Sequence, residues 1–246
     1  PDILCNREIK FQQFLKYAET LGADKIATGH YISRVEDDTG IHFCKALDSS
    51  KDQTYFLQAV PRDRLEKCIF PLGGIMKTTV RSLAKQLELG NDNKKDSTGI
   101  CFIGERRFSD FISQYIPNEN GLIKDTEGRT LGEHLGLHFY TLGQRQGLKI
   151  GGVSNRPELP WYVAEKKLET NELVATQNEE SLKSKWLIAS DVNWIEEINL
   201  PFSLSAKIRY RQKDQTCTIR PCCNKRISVE FENTQTAITP GQYVAF

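Results

Sequence analysis

The chain has 246 residues, 39% of them hydrophobic, and its formal net charge at pH 7 is +1. This composition predicts a globular protein of roughly one to three packed units, and the near-zero charge excludes a global electrostatic argument for nucleic-acid binding, so any RNA surface must be local. No apolar run approaches the ~18 residues of a membrane span, and the first residues show neither a basic leader nor an apolar signal core, so we expect no membrane partner.

The first part of the chain shows the pattern of an α/β layer. Apolar residues at helical spacing predict a first helix that stops at Gly22; they are Phe11, Phe14, Leu15 and Ala18. "KIATGHYI" predicts a short buried strand, and "RVEDDTGIHF" predicts two extended arms about a turn that ends at Gly40. A second helix is predicted from Thr78 as N-cap, with Val80, Leu83, Ala84 and Leu87 on one face. Helix, strand and helix in this order indicate the back half of a layered α/β domain.

The pattern changes twice after that. A helix with Phe108, Phe111, Ile112 and Tyr115 on one face is predicted to stop at Pro117, and eight of the 17 glycines then fall between 121 and 152, which predicts loops and short strands. From about residue 179 the apolar residues alternate. Ala206, Ile208 and Tyr210 are predicted on one side of a strand and Lys207, Arg209 and Arg211 on the other, and Ile227, Val229 and Phe231 repeat the alternation. This pattern predicts a small antiparallel barrel or sandwich.

The seven cysteines are an odd number without a CxxC pair, which favours a reducing compartment and predicts a cytoplasmic location. They are Cys5, Cys44, Cys68, Cys101, Cys217, Cys222 and Cys223. Only the last three approach the spacing of zinc ligands, and no histidine lies near them, so we predict no metal site. Their strand, helix or barrel contexts predict plain packing for all except Cys5 and Cys101.

Two cysteines lie in settings suited to chemistry. In "KKDSTGICFIGERRF", two lysines and two arginines flank Cys101 ahead of a predicted helix, a setting that favours the reactive thiolate. Context alone still favours the alternative, a packed strand cysteine. Cys5 lies three residues after Asp2 and before a helix whose N-terminal N–H groups favour an anion. Asp2 can serve as a general acid or base, or it can cap its own turn, which is the commoner role of an isolated Asp.

A basic segment and a histidine leave further alternatives open. Residues 205–226 hold seven Lys or Arg against one acid, Asp214. This local charge suits RNA phosphates and equally suits a solvated strand face. His30, which follows an apolar strand, can be a catalytic base but is more often a satisfied structural group.

Eight blocks in one order resemble the MnmA/TrmU family of tRNA-specific 2-thiouridylases, and the resemblance covers essentially the whole chain. The blocks are "PDILCNREIKF", "ADKIATGHY", "SSKDQTYFL", "FPLGG", "KKDSTGICFIGERRF", "YTLGQRQGLKIGG", "PWYV" and "IRYRQ". The resemblance implies the C-terminal half of an adenine-nucleotide hydrolase-like, Rossmann-type α/β layer (1–98), a small mixed central domain (99–178) and a C-terminal antiparallel β-barrel (179–246).

The resemblance also implies a reaction, in which ATP and Mg²⁺ support replacement of the C2 oxygen of the wobble uridine by sulfur. It implies that Cys101 receives sulfur as a persulfide from a sulfur-relay protein or cysteine desulfurase, that Cys5 is its partner thiol, and that Asp2 is an acid/base residue. Gly29 is implied to lie against the nucleotide, where the absence of a Cβ lets backbone approach the ligand. The implied tRNA contacts are Asp2, Lys51, Asp52, Gln53, Arg209 and Tyr210. We expect a monomer.

One departure from the family pattern changes the expectation for this chain. A phosphate loop of the "SGGVDSS" type, which cradles the ATP pyrophosphate, does not occur in the sequence; we expect it upstream of residue 1, and we expect the C-terminal barrel to be truncated. The chain alone is therefore expected to be inactive. Two alternatives stay open at this point: a non-catalytic tRNA-binding protein and a persulfide sulfur carrier.

Overall fold

A computed structural model of the protein describes residues 2–94, 108–151 and 158–246. The chain forms two compact units: the N-terminal unit contains Pro1–Gly104, Ser190–Leu200 and Ala245–Phe246, and the C-terminal unit contains Glu105–Ala189 and Pro201–Val244. None of the helices in the described ranges is long and apolar enough to cross a membrane. The domain limits placed after residues 98 and 178 stay predictions.

The first helix, α1, is continuous but changes its winding. It is α-helical at Asp2–Leu4 and Leu15–Thr20, and π-helical at Cys5–Phe14 between them. The predicted face is buried at Phe11, Leu15 and Ala18, whereas Phe14 is 54% exposed, because the wider π turn shifts the side chains relative to an ideal α-helix. Gly22 ends the helix as predicted: it adopts φ +83°, and its N–H donates to the Glu19 carbonyl.

The strands of the N-terminal unit form two short sheets. β1 (Ile26–Ala27) and β4 (Cys68–Ile69) pair in parallel, so the prediction of one strand through "KIATGHYI" is wrong beyond Ala27, where the chain leaves this pair. β2 (Ile32–Asp37) and β3 (Gly40–Lys45) form the predicted antiparallel hairpin, in which Asp37 pairs with Gly40.

Three further helices follow in this unit: α2 (Thr54–Leu57), α3 (Arg62–Glu66) and α4 (Lys77–Gln86). Thr78 is not the N-cap of α4, because the helix begins one residue earlier. The first N–H, that of Lys77, instead donates to Oδ2 of Asp48 at 3.0 Å. Hydrogen bonds from the Ser50 hydroxyl and from this N–H lower the pKa of Asp48. The predicted apolar face of α4 is largely exposed among the described residues, with no buried side chain.

The core of the N-terminal unit lies between α1 and these elements. Its buried members include Phe11, Ile26, Leu57, Leu65 and Phe70, and Phe43 and Ile195 pack against it.

The segment Ser190–Leu200 belongs to the N-terminal unit although it lies far along the chain. Asn193 donates through Nδ2 to the carbonyls of Gln58 (2.8 Å) and Val60 (2.9 Å). Arg62 donates to the Ile195 carbonyl at 3.1 Å. These bonds satisfy backbone carbonyls on both sides of the contact, at Gln58 and Val60 and at Ile195 within the irregular segment.

The first sheet of the C-terminal unit is mixed and has the order β6-β5-β8-β7. Its strands, preceded by helix α5 (Phe108–Ile112), are β5 (Gly121–Asp125), β6 (Thr130–His134), β7 (Tyr162–Lys167) and β8 (Glu172–Thr176). β5 and β8 run in parallel and the other pairs are antiparallel. Short 3₁₀ turns follow at Leu137–Phe139 and Glu179–Leu182. The helix before Pro117 and the short strands after it are confirmed, but the helix ends at Ile112, so the prediction is wrong for Tyr115, which is exposed in the turn that follows.

The second sheet is antiparallel with the order β10-β11-β12-β9. Its strands are β9 (Lys183–Ala189), β10 (Phe202–Ala206), β11 (Gln215–Pro221) and β12 (Ile227–Thr236). The predicted alternation in β12 is confirmed, since Ile227, Val229 and Phe231 are buried. β9 and β10 are the edges of this sheet, so the strands described do not close into a barrel.

The prediction of a strand from Ala206 to Arg211 is wrong beyond Ala206. The Ile208 N–H donates to Oε1 of Gln212 at 2.9 Å, and the Gln212 N–H donates to the Arg209 carbonyl at 3.2 Å. These two bonds close a turn at residues 208–212, so the alternating side chains do not form one flat basic face.

Candidate active site

Helix α1 carries Asp2 and Cys5 in its first turns. Both side chains are half-buried, and the thiol of Cys5 is free. Cys5 is also the first residue of the π-helical stretch, a winding that is frequent at functional sites. The predicted acid/base residue and the predicted partner thiol therefore lie one helical turn apart.

Two polar side chains tie this part of α1 to its neighbours. Asn6, which is 2% exposed, donates through Nδ2 to the carbonyl of Phe56 in α2 at 3.1 Å, and its Oδ1 is buried without a hydrogen-bond partner. Arg64 of α3 donates through Nη1 to the Arg7 carbonyl at 3.1 Å. Sequence reasoning missed both residues; the only signal was the position of Asn6 directly after Cys5 in "PDILCN".

Gly29 lies in the loop that follows β1, at the carboxyl end of a parallel strand, which is where α/β sheets bind ligands. Among the described residues, a Cβ built on Gly29 would meet Cδ1 of Leu72 alone, at an ordinary contact distance of 3.8 Å. The space beside this glycine is therefore open, and a ligand can approach the backbone there.

His30 is a structural group, as its context favoured. Its Nδ1 lies 2.5 Å from the Thr28 hydroxyl, and its ring centroid lies 5.3 Å from that of Phe11. Burial, and then the charge of Lys10, lower the pKa of His30 to about 4. The imidazole is therefore neutral at pH 7, and its contact with Phe11 joins the Gly29 loop to α1.

The block Lys51–Gln53 is held by hydrogen bonds that Asp52 and Gln53 make with neighbouring residues. Asp52 is buried and accepts from the Ala46 N–H (2.8 Å) and the Thr54 hydroxyl (2.6 Å). Gln53 accepts through Oε1 from the Tyr31 N–H at 3.0 Å, and its own N–H donates to the Tyr31 carbonyl at 2.9 Å. The carboxylate of Asp52 thus fixes local structure, whereas Lys51 stands half-exposed beside it.

These bonds connect the elements of the N-terminal unit that carry four predicted positions, Asp2, Cys5, Gly29 and Gln53. The Asn6 bond joins the Cys5 helix to α2, the Gln53 bonds join the residue before α2 to Tyr31, and Tyr31 is two residues from Gly29. Cys101 lies outside the described residues. Arg209 and Tyr210 lie in the C-terminal unit.

Arg209 lies in the turn at residues 208–212, where it also has a structural role. Its Nη2 donates to the carbonyls of Ala237 (3.2 Å) and Leu142 (3.4 Å), and Tyr210 beside it is half-buried. Elsewhere in the basic segment Lys207 pairs with Asp214 at 3.4 Å. The segment remains predominantly cationic and exposed, although it is a turn and a hairpin rather than one strand.

The remaining cysteines divide into two groups. Burial raises the pKa of Cys68 to about 12 and that of Cys217 to about 11, so both are packed thiols, as predicted. The prediction of plain packing is wrong for Cys44 and Cys223, which are exposed, while Cys222 is half-buried. Periodicity misplaced them because Cys44 lies near the end of β3 and the other two follow β11 directly.

Comparison with protein-family models divides the chain into three matched regions. Residues 1–105 match the tRNA methyl transferase HUP domain, residues 109–177 the tRNA methyl transferase PRC-barrel domain, and residues 184–246 the aminomethyltransferase beta-barrel domain. The predicted order of an α/β nucleotide-hydrolase-like layer, a small central domain and a β-barrel-type domain is confirmed by these matches.

Curated relatives match over the whole chain. It is 52% identical to the tRNA-specific 2-thiouridylase MnmA of Pseudomonas fluorescens strain Pf0-1, covering 100% of this chain and 67% of that protein. The corresponding proteins of Alcanivorax borkumensis and Francisella philomiragia are 52% and 51% identical, with 68% and 70% of their lengths covered. The chain thus spans about two thirds of the length of these relatives, and it belongs to the MnmA family of tRNA-specific 2-thiouridylases.

Proposed function

We propose that the protein catalyses ATP-dependent 2-thiolation of the wobble uridine of tRNA. The observation that supports this most is the match of the whole chain, at about half identity, to proteins named tRNA-specific 2-thiouridylases. The blocks "PDILCN" and "GICFIG" place a cysteine at each position that the proposed chemistry requires.

The reaction needs both activation and sulfur. A uracil C2 carbonyl is a poor electrophile with a very poor leaving group. ATP, bound with Mg²⁺, would supply the activation by adenylating the C2 oxygen with release of pyrophosphate, so that this oxygen can leave as part of AMP. The base must also leave its stack in the anticodon loop to reach the cysteines. Asp2, one helical turn before Cys5, is proposed to hold or move a proton at the target base.

We propose that the two cysteines divide the sulfur transfer between them. The outer sulfur of a Cys101 persulfide attacks C2, and the bond from C2 to the activated oxygen breaks. The Cys5 thiolate then attacks the inner sulfur, so the bond between the two persulfide sulfurs breaks, the outer sulfur stays on C2, and a Cys5–Cys101 disulfide forms. An external dithiol reductant returns both cysteines to thiols with two electrons. A sulfur-relay protein or cysteine desulfurase is the proposed persulfide donor.

The decisive experiment measures 2-thiouridine in digested tRNA by mass spectrometry. The complete protein that contains these residues is incubated with ATP, Mg²⁺, a persulfide donor and unmodified tRNA. We expect product from the wild type and from Cys44→Ser, which removes an exposed thiol outside the proposed site, and none from Cys101→Ser or Cys5→Ser. Undiminished product from Cys101→Ser would reject the assignment. Salt-sensitive tRNA binding without product in any variant would instead favour the non-catalytic alternative, and persulfide uptake without ATP use would favour the sulfur carrier.

Gly29 offers a clean test of the nucleotide site. A methyl group fits the described part of the fold at this position, because its one neighbour there is Cδ1 of Leu72 at 3.8 Å. Gly29→Ala should therefore leave the thermal midpoint unchanged and weaken ATP binding by at least about tenfold, since the methyl would overlap a ligand that lies against the backbone. Gly74→Ala, with no atom within 4 Å of the new Cβ, is the control. Equal ATP affinity in both variants would exclude Gly29 from the site.

The block Lys51–Gln53 can be separated into a charge and a scaffold. Lys51→Ala should weaken tRNA binding and lower the slope of log affinity against log salt by about one phosphate contact. Asp52→Asn should cost stability, about 1–3 kcal/mol, because the Ala46 N–H and the Thr54 hydroxyl lose a charged acceptor, and it should leave the salt slope unchanged. If Asp52→Asn instead changed the salt slope without a loss of stability, Asp52 itself would face the RNA.

A further inference from the structure

The hairpin between β11 and β12 presents two thiols side by side. Pro221 pairs with Ile227 as the last ladder pair, and Cys222 and Cys223 follow directly. Their sulfur atoms lie 3.8 Å apart, Cys223 is exposed and Cys222 is half-buried. Consecutive residues in a strand point to opposite faces, so this proximity results from the turn.

The turn is rigidly defined by its backbone. The Arg226 N–H donates to the Cys223 carbonyl at 3.2 Å, and the Cys222 N–H donates to the Arg226 carbonyl at 2.8 Å. Asn224 and Lys225 between them both have positive φ, 56° and 57°, the conformation of a type I′ turn. The two thiols are therefore held together before any ligand arrives.

The pair suits chelation better than oxidation. Neighbouring Cα atoms lie about 3.8 Å apart across a trans peptide, below the ~4.4–6.8 Å usual for a disulfide, so a bond between these sulfurs would be strained and easily reduced. By contrast, two sulfurs that each bond one central atom at about 2.3 Å can lie at most about 4.6 Å apart, and the observed separation of 3.8 Å falls within that limit. Both thiolates can thus bind one atom with little movement.

The residues around the two thiols indicate which kind of atom the pair can bind. Among the described residues, no group of three or more His, Cys, Asp or Glu side chains is placed to hold a metal ion, so the pair cannot complete the four ligands of a structural zinc site. Lys225 and Arg226 are exposed beside the thiols, and Arg220, paired with Glu230 at 2.7 Å, lies on the adjoining strand. These cations repel a bare divalent cation. A neutral centre that needs only two protein ligands fits both constraints.

We propose that Cys222 and Cys223 form a bidentate modification site for trivalent arsenicals. An organoarsenic(III) oxide reacts with both thiols: the two S–H bonds break, two As–S bonds form, and the oxide oxygen leaves as water with the two protons. No oxidant or reductant takes part. The site is independent of the proposed thiolation activity.

The test uses the full chain in a Cys5→Ser/Cys101→Ser background, so that those two thiols cannot chelate, with phenylarsine oxide as the probe. We expect one equivalent by intact-mass spectrometry, retained after gel filtration in excess monothiol and removed by 2,3-dimercaptopropanol. Cys222→Ser and Cys223→Ser should each lose this retained equivalent, and the matched control Cys44→Ser should keep it. Retention of the adduct in either hairpin variant, or no retained adduct in the background protein, would overturn the proposal.

Discussion

Gly73 in the "FPLGG" block is the position where the fold of the N-terminal unit is most sensitive to a single methyl group. A Cβ built there would lie 2.1 Å from the Ile32 carbonyl oxygen, 2.6 Å from the Ile32 carbonyl carbon and 2.7 Å from Cα of Ser33. All three atoms are backbone atoms of β2, which begins at the buried Ile32. Gly73→Ala therefore cannot be accommodated by rotating a side chain.

The size of the effect follows from that overlap. Ordinary Cβ contacts begin near 3.4 Å, so the loop or β2 must move by about 1.3 Å, and overpacking of this kind costs about 1–3 kcal/mol. We expect the upper end, about 3 kcal/mol, because the Gly73 carbonyl also accepts from the Leu47 N–H at 2.8 Å and movement of the loop would strain that bond. This loss corresponds to roughly a hundredfold change in the folding equilibrium.

Urea unfolding reports the effect if the signal comes from the right unit. The chain has three tryptophans, and Trp194 lies in the N-terminal unit, stacked on Phe246. In a Trp161→Phe/Trp186→Phe background its fluorescence follows that unit alone, and the midpoint and slope give the free energy of unfolding.

Gly74→Ala is the matched control for this measurement. No atom of the described residues lies within 4 Å of its Cβ, and its φ is outside the left-handed region, so it should be neutral or gain up to about 1 kcal/mol through the unfolded state. A loss below about 1 kcal/mol for Gly73→Ala, or equal values for the two variants, would refute the close approach of the loop to β2.

Three further predictions concern single side chains. The native pKa of His30 is about 4 against an ordinary 6.5, so the contribution of the neutral imidazole to stability is complete above pH 6.5 and is lost as the pH falls towards 4. In unfolding experiments at a series of pH values, the His30→Gln variant should therefore lose less stability between pH 6.5 and 4 than the wild type. Parallel curves of stability against pH for the two proteins would contradict this. Asn6→Ala removes the hydrogen bond to the Phe56 carbonyl, so it should lower the free energy of unfolding by about 1 kcal/mol and alter the alkylation rate of Cys5. An unchanged alkylation rate would mean that Asn6 does not position the thiol. Native alkylation at pH 8 should label the exposed Cys44 and spare Cys68, whose thiol stays protonated because burial raises its pKa to about 12; labelling of Cys68 at a comparable rate would contradict its burial.

The local sequence pattern was sufficient to predict the helices and strands whose buried residues recur at a regular spacing. The helical spacing of Phe11, Leu15 and Ala18 and the alternation in β12 each record which face is buried, and Gly22 and Gly40 mark backbone conformations that favour glycine. The same reasoning failed where a tertiary contact replaced a local one. The first N–H of α4 donates to Asp48, which lies 29 residues before Lys77 in the chain. The predicted alternation ends after Ala206 because the Gln212 side chain closes a turn with the Ile208 N–H.

The motif blocks supplied the predicted positions Asp2, Cys5, Gly29 and Lys51–Gln53 of the N-terminal unit, whose roles stay predictions, but they gave no sign of the residues that hold those blocks together. Those residues share one mechanism, in which a polar side chain donates to the backbone carbonyl of a distant element: Asn6 to Phe56, Arg64 to Arg7, Asn193 to Gln58, and Arg62 to Ile41 at 2.7 Å. Such bonds have no periodicity, because the acceptor is a backbone group present in every residue. Apolar patterning determines that α1, α2 and α3 exist and which faces they bury. The polar bonds then determine how the elements are joined, because each buried carbonyl left without its donor would cost about 1–3 kcal/mol. The way the Cys5 helix is joined to α2 and α3 is thus set by the side chains of Asn6 and Arg64, whose role only the folded chain reveals.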